Sequence, residues 1–73
     1  MSSVNTVLFQ DKMRRSGHTL ETLSKAIGRS RTGLFNKVHN KHEFTTKEII
    51  LISETLKLNK TEKEKIFFAN DVE

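Results

Sequence analysis

The side chains that could do chemistry in these 73 residues are three histidines, a set of arginines and lysines, and a few carboxylates. His39 and His42 stand three apart, a spacing that can hold a metal ion, and His18 lies well upstream. The pair falls in the polar run HNKHEF, with no cysteine and only Glu43 beside it. Solvated or phosphate-facing histidines are therefore expected, and no metal ion or cofactor. No phosphate-cradling glycine loop, dinucleotide fingerprint or Ser/His/Asp spacing is visible. The acids in TEKEK are accounted for by helix capping and solvation. An enzyme is not expected, nor a small-molecule substrate.

The cations are more informative. Residues 1–42 carry eight basic side chains, Lys12, Arg14, Arg15, Lys25, Arg29, Arg31, Lys37 and Lys41, against Asp11 and Glu21, a balance of +6. Residues 43–73 carry five lysines against seven acids, a balance of −2, which returns the overall +4. A basic front half is the footprint of a phosphate-binding face, and equally of a lysine-rich solubilising surface.

These groups have to be positioned by helices. The chain has no proline, little strand alternation, and glycine only at 17, 28 and 33. In SVNTVLFQDKMRR, Val4, Val7 and Leu8 recur at helical spacing and Phe9 and Met13 stand at i, i+4. Ser3 or Asn5 is the expected cap, Arg14 and Arg15 suit the C-terminal dipole, and Gly17 ends the helix. Thr19 caps a second helix with Leu20, Leu23 and Ile27 inward, and Gly28 stops it. Ser30 caps a third, with Leu34 and Val38 inward. Asn40 is the expected left-handed residue of the polar connection. Thr45 and Glu48 form a capping box ahead of IILI, whose Ile49, Ile52 and Leu56 share a face widened by Ile50 and Leu51. Leu58 is expected to fold back onto the core. A second capping box, Thr61 with Glu64, is read as opening a final helix that ends in IFFAND.

The expected architecture is all-α: one domain, residues 1–73, a compact bundle of about five short helices. At this length the core is small, and an apolar fraction of 34% is low, so stability must come from well-packed helices or a partner subunit. The absence of cysteine fits a reducing compartment. No apolar run in MSSVNTVLFQDKMRRS is long enough for a signal peptide or a membrane span, so a soluble cytoplasmic protein is expected.

Two helices of two to three turns, hinged at a glycine and placed in the basic half, are followed by a polar loop and a strongly apolar helix. Here TLETLSKAIGRSRTGL, continued by EFTTKEIILISETLKL, resembles the Cro/repressor-type (XRE-like) helix-turn-helix family, in particular small phage and prophage regulators. The resemblance spans roughly residues 5–68 and rests on Leu23, Gly28, Ser30, Leu34 and the apolar fourth helix ending Leu-x-Leu. It implies a lambda-repressor-like DNA-binding domain, acting beside the nucleoid of a bacterial host cell as a homodimer on double-stranded operator DNA. The third helix would lie in the major groove. Carried over, Arg31, Thr32 and Asn36 are expected to read base edges. A helical wheel independently puts Thr32 and Asn36, with Arg29 and Gly33, opposite Leu34 and Val38. Arginine suits guanine O6/N7 and asparagine suits adenine N6/N7. Arg29, Ser30, Lys37 and Lys41 are expected to hold phosphates.

Some positions depart from the family's usual choices. Leu20 stands where glutamine often meets a phosphate, Ser24 where alanine is common, and Arg29 where a small or apolar residue is frequent. Gly33 costs about 1 kcal/mol of helix propensity and offers no side chain to a base. It either permits close approach to DNA or makes a flat seat for another protein. Ile66 and one of Phe67 and Phe68 are expected to close the core, leaving the other phenylalanine for an interface. Leu20, Gly33, Phe67 and Phe68 together motivate an alternative: an antirepressor of the same fold, bound to a phage repressor protein and controlling the lysis–lysogeny switch.

Overall fold

The computed structural model describes residues 4–68, which form helices α1 (Thr6–Arg15), α2 (Leu20–Ala26), α3 (Arg31–Val38), α4 (Thr46–Thr55) and α5 (Lys60–Phe67). There is no strand among the described residues. No described helix is long and apolar enough to cross a membrane.

Every helix starts on a side chain that accepts a hydrogen bond from an otherwise orphaned backbone N–H: Asn5, Thr19, Ser30, Thr45 and Asn59. Ser3, the other candidate for the first cap, lies outside the described residues. The last helix opens two residues earlier than the Thr61/Glu64 box predicts: Asn59 is the cap and Glu62 the reciprocal partner. Both pairs obey the same x-x-Glu spacing. The exit of α4 decides between them, because Leu58 turns back at once and leaves Asn59 at the head of the next helix. The Ala69–Asp71 end expected for this helix lies outside the described residues.

Four helices end alike. Gly17, Gly28, Asn40 and Lys57 each have positive φ (79°, 72°, 65° and 55°). The next residue donates its N–H back five positions, as from Arg29 to the Ser24 carbonyl at 2.9 Å and from Leu58 to Ser53 at 2.8 Å. This is the Schellman arrangement, and it lets four connections turn within four to seven residues. Asn40 is the left-handed residue, as expected, and its side chain does more. It accepts from the Val4 N–H at 2.8 Å and donates to the Val4 carbonyl at 3.0 Å, tying the chain before α1 to the end of α3.

The core is Phe9, Met13, Leu23, Ile27, Leu34, Val38, Ile52, Leu56, Ile66 and Phe67. Phe44, from the connection read as polar, joins Phe9 and Phe67 in an aromatic cluster with ring centroids 5.3–6.0 Å apart. The first helix faces inward through Phe9 and Met13 alone, while Val7 is 75% exposed. Ile49 and Leu51 are half-buried and Ile50 is exposed, so the inward face of α4 is narrower than IILI implies.

Candidate nucleic-acid interface

Helices α2 and α3 pack through Leu23 and Leu34, both fully buried, and Leu20 lies half-buried against the same core. Ser24 is buried too, and its hydroxyl donates to the Glu21 carbonyl at 2.7 Å, so the position common to alanine tolerates serine. The turn between the helices is made by Gly28, and Ser30 Oγ accepts from the Gly33 N–H at 3.0 Å. A Cβ added at Gly33 would stand 3.0 Å from that same oxygen.

The outer surface of α3 carries Arg31 and Thr32, both exposed, beside half-buried Gly33 and Asn36. Of the three expected base-reading side chains, Arg31 and Thr32 are thus exposed and Asn36 half-buried, with Ser30 at the head of the helix. Between them stands a residue with no assigned part in the sequence reading. Phe35 is 43% exposed, and its ring lies 4.2 Å from the His39 imidazole, centroid to centroid, with Lys41 Nζ 6.0 Å away over its face. Adjacent to Leu34, it reads in sequence as one more apolar residue of the inward face.

Behind this surface lies the one buried carboxylate among the described residues. Glu48 is 1% exposed, and its Oε2 accepts at 2.5 Å from both Arg29 Nε and Lys37 Nζ, while Oε1 accepts from the Thr45 N–H at 2.8 Å. Burial works against its ionisation, but the hydrogen bonds from Lys37, the Thr45 backbone and Arg29 prevail, lowering its pKa from 4.5 to about 2. Three elements meet at one carboxylate: the residue after the Gly28 turn, the last turn of α3 and the first turn of α4.

Arg29 and Lys37 therefore differ from the phosphate-holding expectation in one respect: each already has a carboxylate partner. Lys37 has a side chain only 20% exposed, so its ammonium serves the interior; Arg29, at 48%, keeps part of its guanidinium open to solvent. Lys25 and Arg15 are also paired, with Glu21 and Asp11, and Lys12 joins α1 to α5 through Glu62 at 2.8 Å. Among the described residues of the basic half, Arg14, Arg31 and Lys41 have no carboxylate within 4.0 Å. No Asp or Glu occurs anywhere from residue 22 to 42.

Phe67, expected at an interface, lies in the core instead. It is 3% exposed and packs edge-on against Phe9 and Phe44, whereas Phe68 is the half-buried member of the pair. No group of three or more His, Cys, Asp or Glu able to hold a metal ion occurs among the described residues.

No protein-family model matches the chain, and no match emerges among curated proteins or solved structures.

Proposed function

We propose that the protein is a transcriptional regulator whose α2 and α3 form a helix-turn-helix of the Cro/repressor type, with α3 entering the major groove of operator DNA. The observation that carries this reading is the surface of α3. It carries exposed Arg31 and Thr32 and half-buried Asn36 within a 21-residue stretch that contains no acid. Arg31 and Asn36 offer paired donors and acceptors to base edges, while Lys41 and the open side of Arg29 border the phosphates. One unit this small covers too little DNA for tight binding, so two copies on half-sites about one helical turn apart are the binding form. Regulation follows by occlusion of the promoter, without catalysis. The test is an electrophoretic shift on DNA flanking the protein's own gene. It requires binding that weakens steeply with salt and is weakened in Arg31→Ala; no shift at low salt rules the reading out.

A second reading has its own observation. An exposed Phe35 at the centre of α3, with Arg29 and Lys37 committed to Glu48, makes this surface less charged and more apolar than its sequence implies. Such a face suits a protein partner, and the partner of this reading is a phage repressor whose DNA-binding surface is masked. Co-purification with a repressor encoded alongside supports it. Full repressor activity in the presence of excess protein excludes it.

A further inference from the structure

We infer that Phe35 is a specificity-determining residue that reads the C5-methyl group of a thymine in the major groove. The inference rests on the DNA-binding reading of α3 and adds the base it selects.

An exposed phenylalanine on a cationic surface needs a reason. The core does not use it: Leu34 and Val38, which form the inward face of α3, are 0% and 2% exposed, and Phe35 is 43% exposed. Nor is the ring left loose. The His39 imidazole, one turn further on, packs against it at 4.2 Å between centroids and a tilt of 39°, and Lys41 Nζ stands 6.0 Å over its face. These contacts limit where the ring can point, so an apolar edge is presented to solvent at low cost in side-chain freedom. That pair alone supports a helix only modestly, as other i, i+4 pairs do.

The neighbours identify what the edge would meet. Phe35 stands one residue before Asn36 and one turn after Arg31. Of the base-edge features exposed in the major groove, the thymine methyl is the one that an apolar side chain recognises. The preferred partner of Asn36 is adenine, so the two adjacent residues suit an A·T step. The acid-free stretch around the ring favours a polyanion over an apolar or basic protein surface.

The experiment starts from in vitro selection with the full chain on random double-stranded DNA at low salt. The enriched site is then resynthesised with deoxyuridine replacing each thymine in turn, which removes only the methyl. At one thymine per half-site the wild type should lose about fourfold in affinity, the worth of one buried methyl group. Phe35→Ala, checked for folding by circular dichroism, should bind more weakly and lose that sensitivity, while Phe35→Leu retains part of it. Selection of a site with no thymine-to-uracil effect overturns the inference and leaves the DNA-binding reading intact. An effect undiminished in Phe35→Ala also overturns it. No enrichment and no salt-sensitive binding overturns both.

Discussion

Lys37 Nζ lies 2.5 Å from Glu48 Oε2, joining the last turn of α3 to the first turn of α4 in a site where the carboxylate is 1% exposed. The Glu48 carboxyl titrates near 2 in the folded protein against 4.5 ordinarily. A depressed carboxyl stabilises the fold above its unfolded pKa, and that contribution is lost as pH falls through the folded one. The window is therefore about pH 4.5 down to about 2, and the amount is on the order of 3 kcal/mol. Glu48→Gln should cost about 2–3 kcal/mol at pH 7, and the gap to wild type should close across that window. Urea unfolding at a series of pH values measures both. A constant gap from pH 7 to 2 contradicts the assignment.

Arg31 has no carboxylate within 4.0 Å among the described residues, so its removal leaves the fold undisturbed. Arg31→Ala should keep the wild-type melting temperature and lose about 1–3 kcal/mol of specific DNA binding. If it contacts a base rather than a phosphate, sequence preference relaxes at one position while the salt slope changes little. Binding isotherms at several salt concentrations separate these outcomes.

Gly33 occupies the third position of α3, where the three helices with reciprocal capping boxes, α2, α4 and α5, hold Thr22, Glu48 and Glu62. Their cap bonds of 3.2, 3.2 and 2.7 Å persist beside a Cβ, so Ser30 Oγ should yield the few tenths of an ångström that alanine needs. Gly33→Ala should therefore stabilise the protein by about 0.5–1 kcal/mol in thermal unfolding. An unchanged DNA affinity in that variant would remove Gly33 from the contact surface.

Lys57 and Asn40 share a left-handed backbone, with φ of 55° and 65°, yet glycine should act oppositely at the two sites. Lys57→Gly relieves the Cβ strain and should raise stability by about 0.5–1 kcal/mol. Asn40→Gly relieves the same strain but removes both hydrogen bonds to Val4, a net loss of about 1 kcal/mol. Melting temperatures of the two variants, compared with wild type, decide.

Local chemistry was the legible part. Thr19, Ser30 and Thr45 announce helix starts because a cap acts on backbone groups two or three residues away. Gly28 and Asn40 announce exits for the same reason. The start of α5 was ambiguous because Asn59 and Thr61 both precede a glutamate by three. Less legible still were features made by distant parts of the chain. Glu48 reads as a capping-box member, while its partners Arg29 and Lys37 lie 19 and 11 residues upstream. Phe35 next to Leu34, and Phe67 next to Phe68, differ in burial because of how neighbouring helices cover them, which no spacing rule encodes.

The Asn5 N–H donates to the Ile66 carbonyl at 2.7 Å, and Val4 is already held by Asn40. In sequence the fold is thus a closed ring whose clasp joins positions roughly 60 residues apart, a large loop to shut before its contacts compensate for the lost entropy. The α2–α3 pair needs no such closure. Its contacts are short-range, so it is expected to form early, with the α1–α5 closure following. Native-state hydrogen exchange should then find the α1 and α5 amides opening together, at lower free energy than those of Leu23 and Leu34.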